Sequence, residues 1–229
     1  MRKIAFLILV INLQILAVAH GQKLELSPEM AAFKQYCLDV RHGVEARNSD
    51  ILIDCISNWT PADKSNEEHF EYNGEKINYS SFNTLTCVDT TSEVPLGLHL
   101  RFLPAYIDTL IANNFEAVAV AEAHILRADE KHVEYIVRAL APKSSATYAT
   151  NTNNDIELFA VAENGGKLKL SARTMECNFK HEIINETTHS SPEGESAQLI
   201  FHIDRCGELE FTIENTSDEE ISFIVVKKL

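Results

Sequence analysis

The sequence of 229 residues contains no G-x-S-x-G elbow, no H-E-x-x-H pair and no phosphate-binding P-loop. A nucleophile with its base, a zinc-held water and a phosphate cradle are therefore missing in their local, motif-borne forms. C-x-x-C and H-x-x-x-H spacings are absent too, which removes the usual sequence signs of a zinc site. No motif implies a cofactor. Basic runs are also lacking: 34 acids stand against 20 Lys and Arg, for a formal charge of −14. Such a surface repels nucleic acid and anionic membrane, so no nucleic-acid partner is expected. A single tryptophan, Trp59, offers little to a sugar-binding platform.

What the chain does have begins with one long apolar run. Met1-Arg2-Lys3 precede IAFLILVINLQILAVA, and the small residues Ala17 and Ala19 close it. Basic, apolar and small, in that order, is a secretory signal peptide, residues 1–21, with cleavage after Ala19 or Gly21. A membrane anchor would need roughly 17 to 25 apolar residues, and Asn12 and Gln14 interrupt this run. No later stretch is long and apolar enough to span a membrane. The expectation is an exported chain, secreted or periplasmic, with no stable membrane insertion after the leader is removed. Losing Arg2 and Lys3 takes the formal charge from −14 to −16.

Cys37, Cys55, Cys87, Cys177 and Cys206 all lie beyond the leader. Export permits disulfides, but an odd count leaves at least one thiol unpaired unless chains link. Cys177 and Cys206 share the strand-rich region and are the candidate disulfide. The pairing of Cys37, Cys55 and Cys87 stays open.

Residues 22–229 fall into two differently patterned parts. Residues 22–130 read as a mainly helical domain with a small hairpin or loop region. Ser27-Pro28-Glu29 is a helix start, with a serine cap, proline at the first helical position and an acid in the first turn. Met30, Phe33, Cys37, Val40 and Val44 follow at helical steps, and Glu45 to Asp50 breaks the helix. Ile51 to Trp59 reads as a second short helix. Asn73-Gly74 is a tight-turn signal within the polar stretch 61–94. Further helices are expected from Pro104, burying Tyr106, Ile107, Leu110 and Ile111, and from Phe115 to Asp129.

Residues 131–229 read as an antiparallel β-sandwich. Strands are expected near 133–140, 144–150, 155–163, 166–176, 197–204, 207–215 and 220–227. In DIELFAVAEN, Ile156, Leu158, Ala160 and Ala162 alternate with Asp155, Glu157 and, less cleanly, Phe159 and Val161. That period predicts one dry face per sheet. Residues 177–196, with Pro192 and Gly194, are expected to form a long exposed loop. With 215–220 it is the natural place for contacts. The fold class is α+β, an N-terminal helical part packed on a C-terminal antiparallel β-sandwich.

GLHLRFLPAYIDTLI, DIELFAVAENGGKLKLSA and FTIENTSDEEISFIVV resemble blocks of secreted proteins from Bacteroidetes-type bacteria that have no assigned activity. The second half also resembles the pre-peptidase C-terminal type of β-sandwich, a non-catalytic accessory module of secreted enzymes. The resemblance implies a sandwich and an accessory role. The chain departs from that pattern in having no recognisable peptidase domain beside the module.

Residues able to do chemistry are few once the bland reading of each is set beside the sharp one. Cys37 and His42 are the closest cysteine–histidine pair, but five residues apart on a helix they do not share a face. Cys37 also belongs to the apolar stripe, where a buried cysteine is ordinary. Asp155 with Glu157, Glu208 with Glu210, and Asp218 with Glu219 and Glu220 are the acid pairs a glycosidase or calcium site would use. A solvated strand face and a charged turn explain them without function. His99, His124, His132 and His202 show no metal spacing, and His202 is expected to face water. Asn58, Asn78, Asn185 and Asn215 begin N-x-S/T sequons with no role assigned.

No catalytic, cofactor-binding or metal residue is assigned. The expected function is an exported non-catalytic binding or interaction protein, its protein or glycan partner unknown. Alternatives are a secreted hydrolase with a site assembled between the helical part and the sandwich, or a structural assembly subunit. In the latter an edge strand would pair between chains, Lys227-Lys228 otherwise guarding the last strand.

Overall fold

The computed structural model describes residues 25–57, 59–60, 69–81, 86–90, 93–94, 102, 104–115, 133–152, 155–163, 165–178, 180, 182–203 and 207–228. The leader lies outside them, as does the helix expected from Phe115 to Asp129 except for Phe115, which sits in a turn.

Helix α1, Pro28–Glu45, buries Met30, Phe33, Tyr36, Cys37 and Val40 on one face. Ser27 occupies its N-cap position but makes no side-chain cap. Instead the Ser27 N–H donates to Glu157 Oε2 at 2.6 Å, placing a carboxylate at the positive end of the helix. Helix α2, Ser49–Ser57, is capped by Asn48, whose Oδ1 accepts from the N–H groups of Asp50 (3.0 Å) and Ile51 (3.3 Å). A Cβ at Gly43 would lie 2.6 Å from Leu52 Cδ2, so glycine lets the two helices close on each other. The second helix is shorter than the sequence predicts: Trp59 belongs to a two-residue strand, β1, Trp59–Thr60.

Strands β2, His69–Tyr72, and β3, Glu75–Ser81, form the hairpin that Asn73-Gly74 signals. Asn73 and Gly74 have φ of 50° and 82°, the left-handed pair of a two-residue hairpin turn. Strands β4, Thr86–Thr90, and β5, Glu93–Val94, precede helix α3, Pro104–Ala112, which buries Tyr106, Ile107 and Leu110. The second half supplies β6, Val133–Leu140, β7, Ser145–Thr152, β8, Asp155–Ala162, and β9, Leu168–Cys177. It continues with β10, Ile183–Ser190, β11, Ser196–His202, β12, Gly207–Asn215, and β13, Ile221–Lys228.

These strands form two sheets. The first has the order β1-β2-β3-β6-β13-β8-β11, with β5 also on β6; the second has the order β10-β9-β12-β7-β4. All described pairings are antiparallel except β3 with β6, where Tyr79 lies opposite Val133. The structure is thus α+β with mostly antiparallel sheets. The first half is not only helical, because β3 and β5 join the first sheet and β4 joins the second.

Two apolar cores lie on opposite faces of the first sheet. Tyr135, Val137, Phe159, Val161, Ile224 and Val226 share a cluster with the buried residues of the three helices. Ile136, Leu158, Ala160, Phe223 and Val225 share another with Tyr148, Leu170, Leu209 and Phe211 of the second sheet. The expectation of one dry face per sheet therefore holds for the second sheet only. In the first, Phe159 and Val161 break the alternation because the helices cover their side. A sheet covered on both faces reads as a near-continuous apolar run. No described helix is long and apolar enough to cross a membrane.

Two polar side chains lock the layers. Arg41, buried on α1, donates from Nη1 to the Ala162 carbonyl at 2.9 Å and pairs through Nε with Glu45 at 2.9 Å. Asn215 is fully buried at the end of β12, and its Nδ2 donates to the carbonyls of Leu140 (3.2 Å), Ala141 (2.9 Å) and Glu219 (2.8 Å). The Ser217 N–H returns to Asn215 Oδ1 at 2.9 Å. Asn215→Ala leaves these carbonyls without their donor and is expected to lower stability by about 2 to 4 kcal/mol in urea unfolding. Asn215→Asp cannot restore the donor, so it is expected to fall with the alanine variant.

Candidate functional site

Residues 177–196, read from the sequence as a loop, contain β10. Asn178 builds the turn that starts it: its Oδ1 accepts from the N–H groups of Lys180 (2.8 Å) and Glu182 (3.1 Å), and its own N–H reaches the Glu182 carbonyl at 2.9 Å. The strand then pairs with β9 from Ile183 opposite Cys177 to Ser190 opposite Ser171, with a register shift between Ile183 and Asn185. Nothing in the alternation announced this strand, because both of its faces meet water. The available signal was the β-branched content of Ile183, Ile184, Thr187 and Thr188.

β10 is the last strand of its sheet among the described residues, and no described strand pairs with its outer edge. Ile183 and Ile184 are 57% and 47% exposed, the largest apolar side chains on it. Its inner edge is held by two anchors. Arg173 on β9 forms a fork to Glu186, with Nε at 2.8 Å and Nη2 at 3.0 Å, and reaches Glu210 on β12 at 3.1 Å. The His189 ring stacks on Phe201 of β11, centroids 4.0 Å apart and planes 9° from parallel. Beyond Ser190 the chain is stitched to β9. Ser191 exchanges bonds with Leu170 (2.8 and 3.1 Å), and Gly194 bridges to Leu168 before β11 begins in the other sheet.

The residues singled out from the sequence fall apart in space. Cys37 is buried while His42, on the same helix, is exposed. Burial, and then the neighbouring Cys55, push the Cys37 thiol well above the ordinary cysteine range, the opposite of an activated nucleophile. Asp155 is 86% exposed and pairs with His202 Nδ1 at 2.7 Å, so His202 does face water. Glu157, expected on a solvated face, is instead covered beside α1 and also meets Lys228 Nζ at 3.4 Å. Glu210 is held by Arg173, and Asp218 by Lys143 at 3.1 Å in the turn after β12. The expected contact segment 215–220 is thus the Asn215-centred turn. His99, His124 and His132 lie outside the described residues.

Cys177 carries a free thiol, its Sγ 3.9 Å from the Met175 carbonyl. Its neighbour Glu176 is opposite Gly207 in the β9–β12 register. Cys206 lies outside the described residues. Of the sequons, Asn185 is exposed on β10, whereas Asn215 is buried with its Nδ2 fully engaged.

No family model matches the chain, and no curated protein matches it. Among solved structures it is similar to TmCBM61 in complex with beta-1,4-galactotriose, at 10% identity over 44% of this chain and 85% of that one, TM-score 0.30. PirA is similar at 9% identity over 45% of this chain and 98% of that one, TM-score 0.30. Tailspike protein 4 of bacteriophage CBA120, enzymatically active domain, is similar at 11% identity over 41% and 15%, TM-score 0.27. Likenesses this distant carry no functional argument.

Acid is expected to loosen β10 in two stages. Removal from water holds His189 below the ordinary histidine value of 6.5, so the unfolded strand takes the proton first. That contribution is full above the ordinary value and is lost as the pH falls below it. The fork from Arg173 holds Glu186 below its ordinary 4.5, so its contribution persists above that value and is lost as the pH falls further. Amide exchange of β10, corrected for intrinsic rates, should therefore rise in two steps between about pH 7 and about pH 3. His189→Gln should remove the first step and Arg173→Met the second.

Proposed function

We propose that this chain is an exported, non-catalytic interaction protein that takes an extended segment of a partner protein along the free edge of β10. The observation that carries the reading is the state of that strand. It closes one side of the second sheet, its residues are exposed along nearly its whole length, and among the described residues no strand neighbours its outer row of backbone groups. Strand addition uses such an edge: main-chain hydrogen bonds supply affinity, and alternate side chains supply choice of partner.

The chemistry of the rim favours a basic segment. Glu182 precedes the strand and Glu186 lies on it, β10 itself carries no Lys or Arg, and Arg173 of β9 is already engaged by Glu186 and Glu210. Two copies of the strand would bring these acids together, so self-pairing is disfavoured. The register shift at Ile183 to Asn185 further guards against indiscriminate pairing. A glycan finds less here. The outward face of the second sheet carries Thr147, Ser171, Arg173, Glu210 and Thr212, and no described aromatic side chain to stack on a sugar ring. A Cys177–Cys206 bridge remains a proposal; it would tie the turn end of the β9–β10 hairpin to the segment that leads into β12.

The test uses residues 22–229 as bait against the host's envelope and culture fluid. Ile183→Lys with Ile184→Lys places two cations on the edge, which a basic strand cannot approach. The wild type should retain a partner that the double variant loses at least tenfold. Amide exchange of the complex should show new protection in β10. Equal capture by the double variant, or protection confined to another surface, would overturn the reading.

A further inference from the structure

The fold sorts the cysteines by layer. Cys37 on α1 and Cys55 on α2 are 0% and 2% exposed and belong to the same apolar cluster, on the helical side of the first sheet. Cys87 lies on β4 in the second sheet, opposite Tyr148, a residue of the other core. Cys177 lies on β9 of that same second sheet. Packed sheets are about 10 Å apart, and a disulfide needs Cα atoms within about 7 Å. The intervening sheet therefore keeps Cys87 and Cys177 from either helical cysteine.

Within the helical layer Cys37 and Cys55 are both free thiols in this structure, on two helices that pack against each other. The α1–α2 connection is short, and Gly43 lets Leu52 seat directly on α1. Tyr72 of β2 stands over both helices: its hydroxyl donates to Asp39 Oδ2 of α1, it lies near enough to Cys55 of α2 to influence that thiol, and its ring meets Tyr36 edge-on at 5.5 Å. Burial, and then the nearby Cys55, disfavour the Cys37 thiolate. Burial pushes the Cys55 thiol up to about 11.

From this arrangement we propose that Cys37 and Cys55 oxidise to a disulfide that fastens α2 to α1. The oxidant is a small-molecule disulfide such as oxidised glutathione. One cysteine thiolate attacks it and displaces a glutathione thiolate, leaving a mixed disulfide. The second cysteine thiolate attacks the protein sulfur of that intermediate and displaces the other glutathione. Two protein thiols become one S–S bond, and one glutathione disulfide becomes two glutathiones. Both sulfurs are out of water and poorly ionised once the core has closed, so the exchange belongs to the folding chain. The finished bond is then shielded from reductants. This assignment would leave Cys87 as the odd thiol.

The test refolds reduced, denatured residues 22–229 in a glutathione redox buffer, blocks free thiols with N-ethylmaleimide and digests with trypsin without reduction. The expected product joins Gln35–Arg41 to Asn48–Lys64, lighter by two hydrogens than the two thiol peptides together. Recovery of both peptides as maleimide adducts, or of either one linked to Cys87, would overturn the proposal. The oxidised protein should melt roughly 5 to 10 °C above the same protein refolded with dithiothreitol, and Cys37→Ala with Cys55→Ala should abolish that difference. Protein folded in the reduced state and then given oxidised glutathione should form the bond at least tenfold more slowly than the refolding chain. Equal rates would show that the thiols are not enclosed.

Discussion

The middle of the first sheet has no wet face, and that constraint orders the rest of the molecule. Its middle strands, β6, β13 and β8, are buried almost end to end, with helices against one side and the second sheet against the other. A strand in this position cannot alternate apolar with charged residues, since either side of the pleat would then bury a charge without a partner. The few ionisable residues it holds are matched within the fold. Lys227 lies directly across from Glu134 on β6, and its Nζ reaches the Asn151 carbonyl of the second sheet at 3.1 Å. Burial lowers the Lys227 pKa while Glu134 opposes that shift.

Polar side chains set where the layers stop sliding. Apolar contact is non-directional, so α1 could rest on the sheet in several positions that bury similar area. Arg41 removes that freedom, because its guanidinium must meet the Ala162 carbonyl at the end of β8 and the carboxylates of Glu45 and Glu195. At the opposite end of the helix, Glu157 accepts the Ser27 N–H. The two ties pin α1 at both ends of one strand. Removing one partner would strand a buried polar group and destabilise the fold, so these contacts penalise every other seating of α1.

The elements whose buried side was legible in the sequence were those with one wet and one dry side. Helix α1 follows from Ser27-Pro28-Glu29 and its stripe, the β2–β3 hairpin from Asn73-Gly74, and β12 from the clean alternation of Leu209, Phe211 and Ile213 with Glu208, Glu210 and Thr212. Two features were hidden. β8 was legible as a strand over 155–163, but not its burial on both faces, so Phe159 and Val161 look like flaws in a pattern until the helices are seen over them. β10 is the inverse case, wet on both faces, so Pro192, Gly194 and a run of polar residues pass for a loop. The candidate edge was hidden for the same reason. The anchors Arg173 and His189 are each ordinary in sequence and gain meaning only from Glu186 and Phe201, distant in the chain.

β13 lies between β6 and β8, yet it follows both in sequence. The two neighbours cannot pair with one another in its absence, since each is separated from the other by the width of a strand. Until the ribosome has made residue 221 and those after it, the central layer exists as two unjoined pieces with an apolar gap. Neither the helices nor the second sheet then has a complete surface to rest on. The order of synthesis thus works against early closure of the central layer, because β13 is made after both strands that it joins.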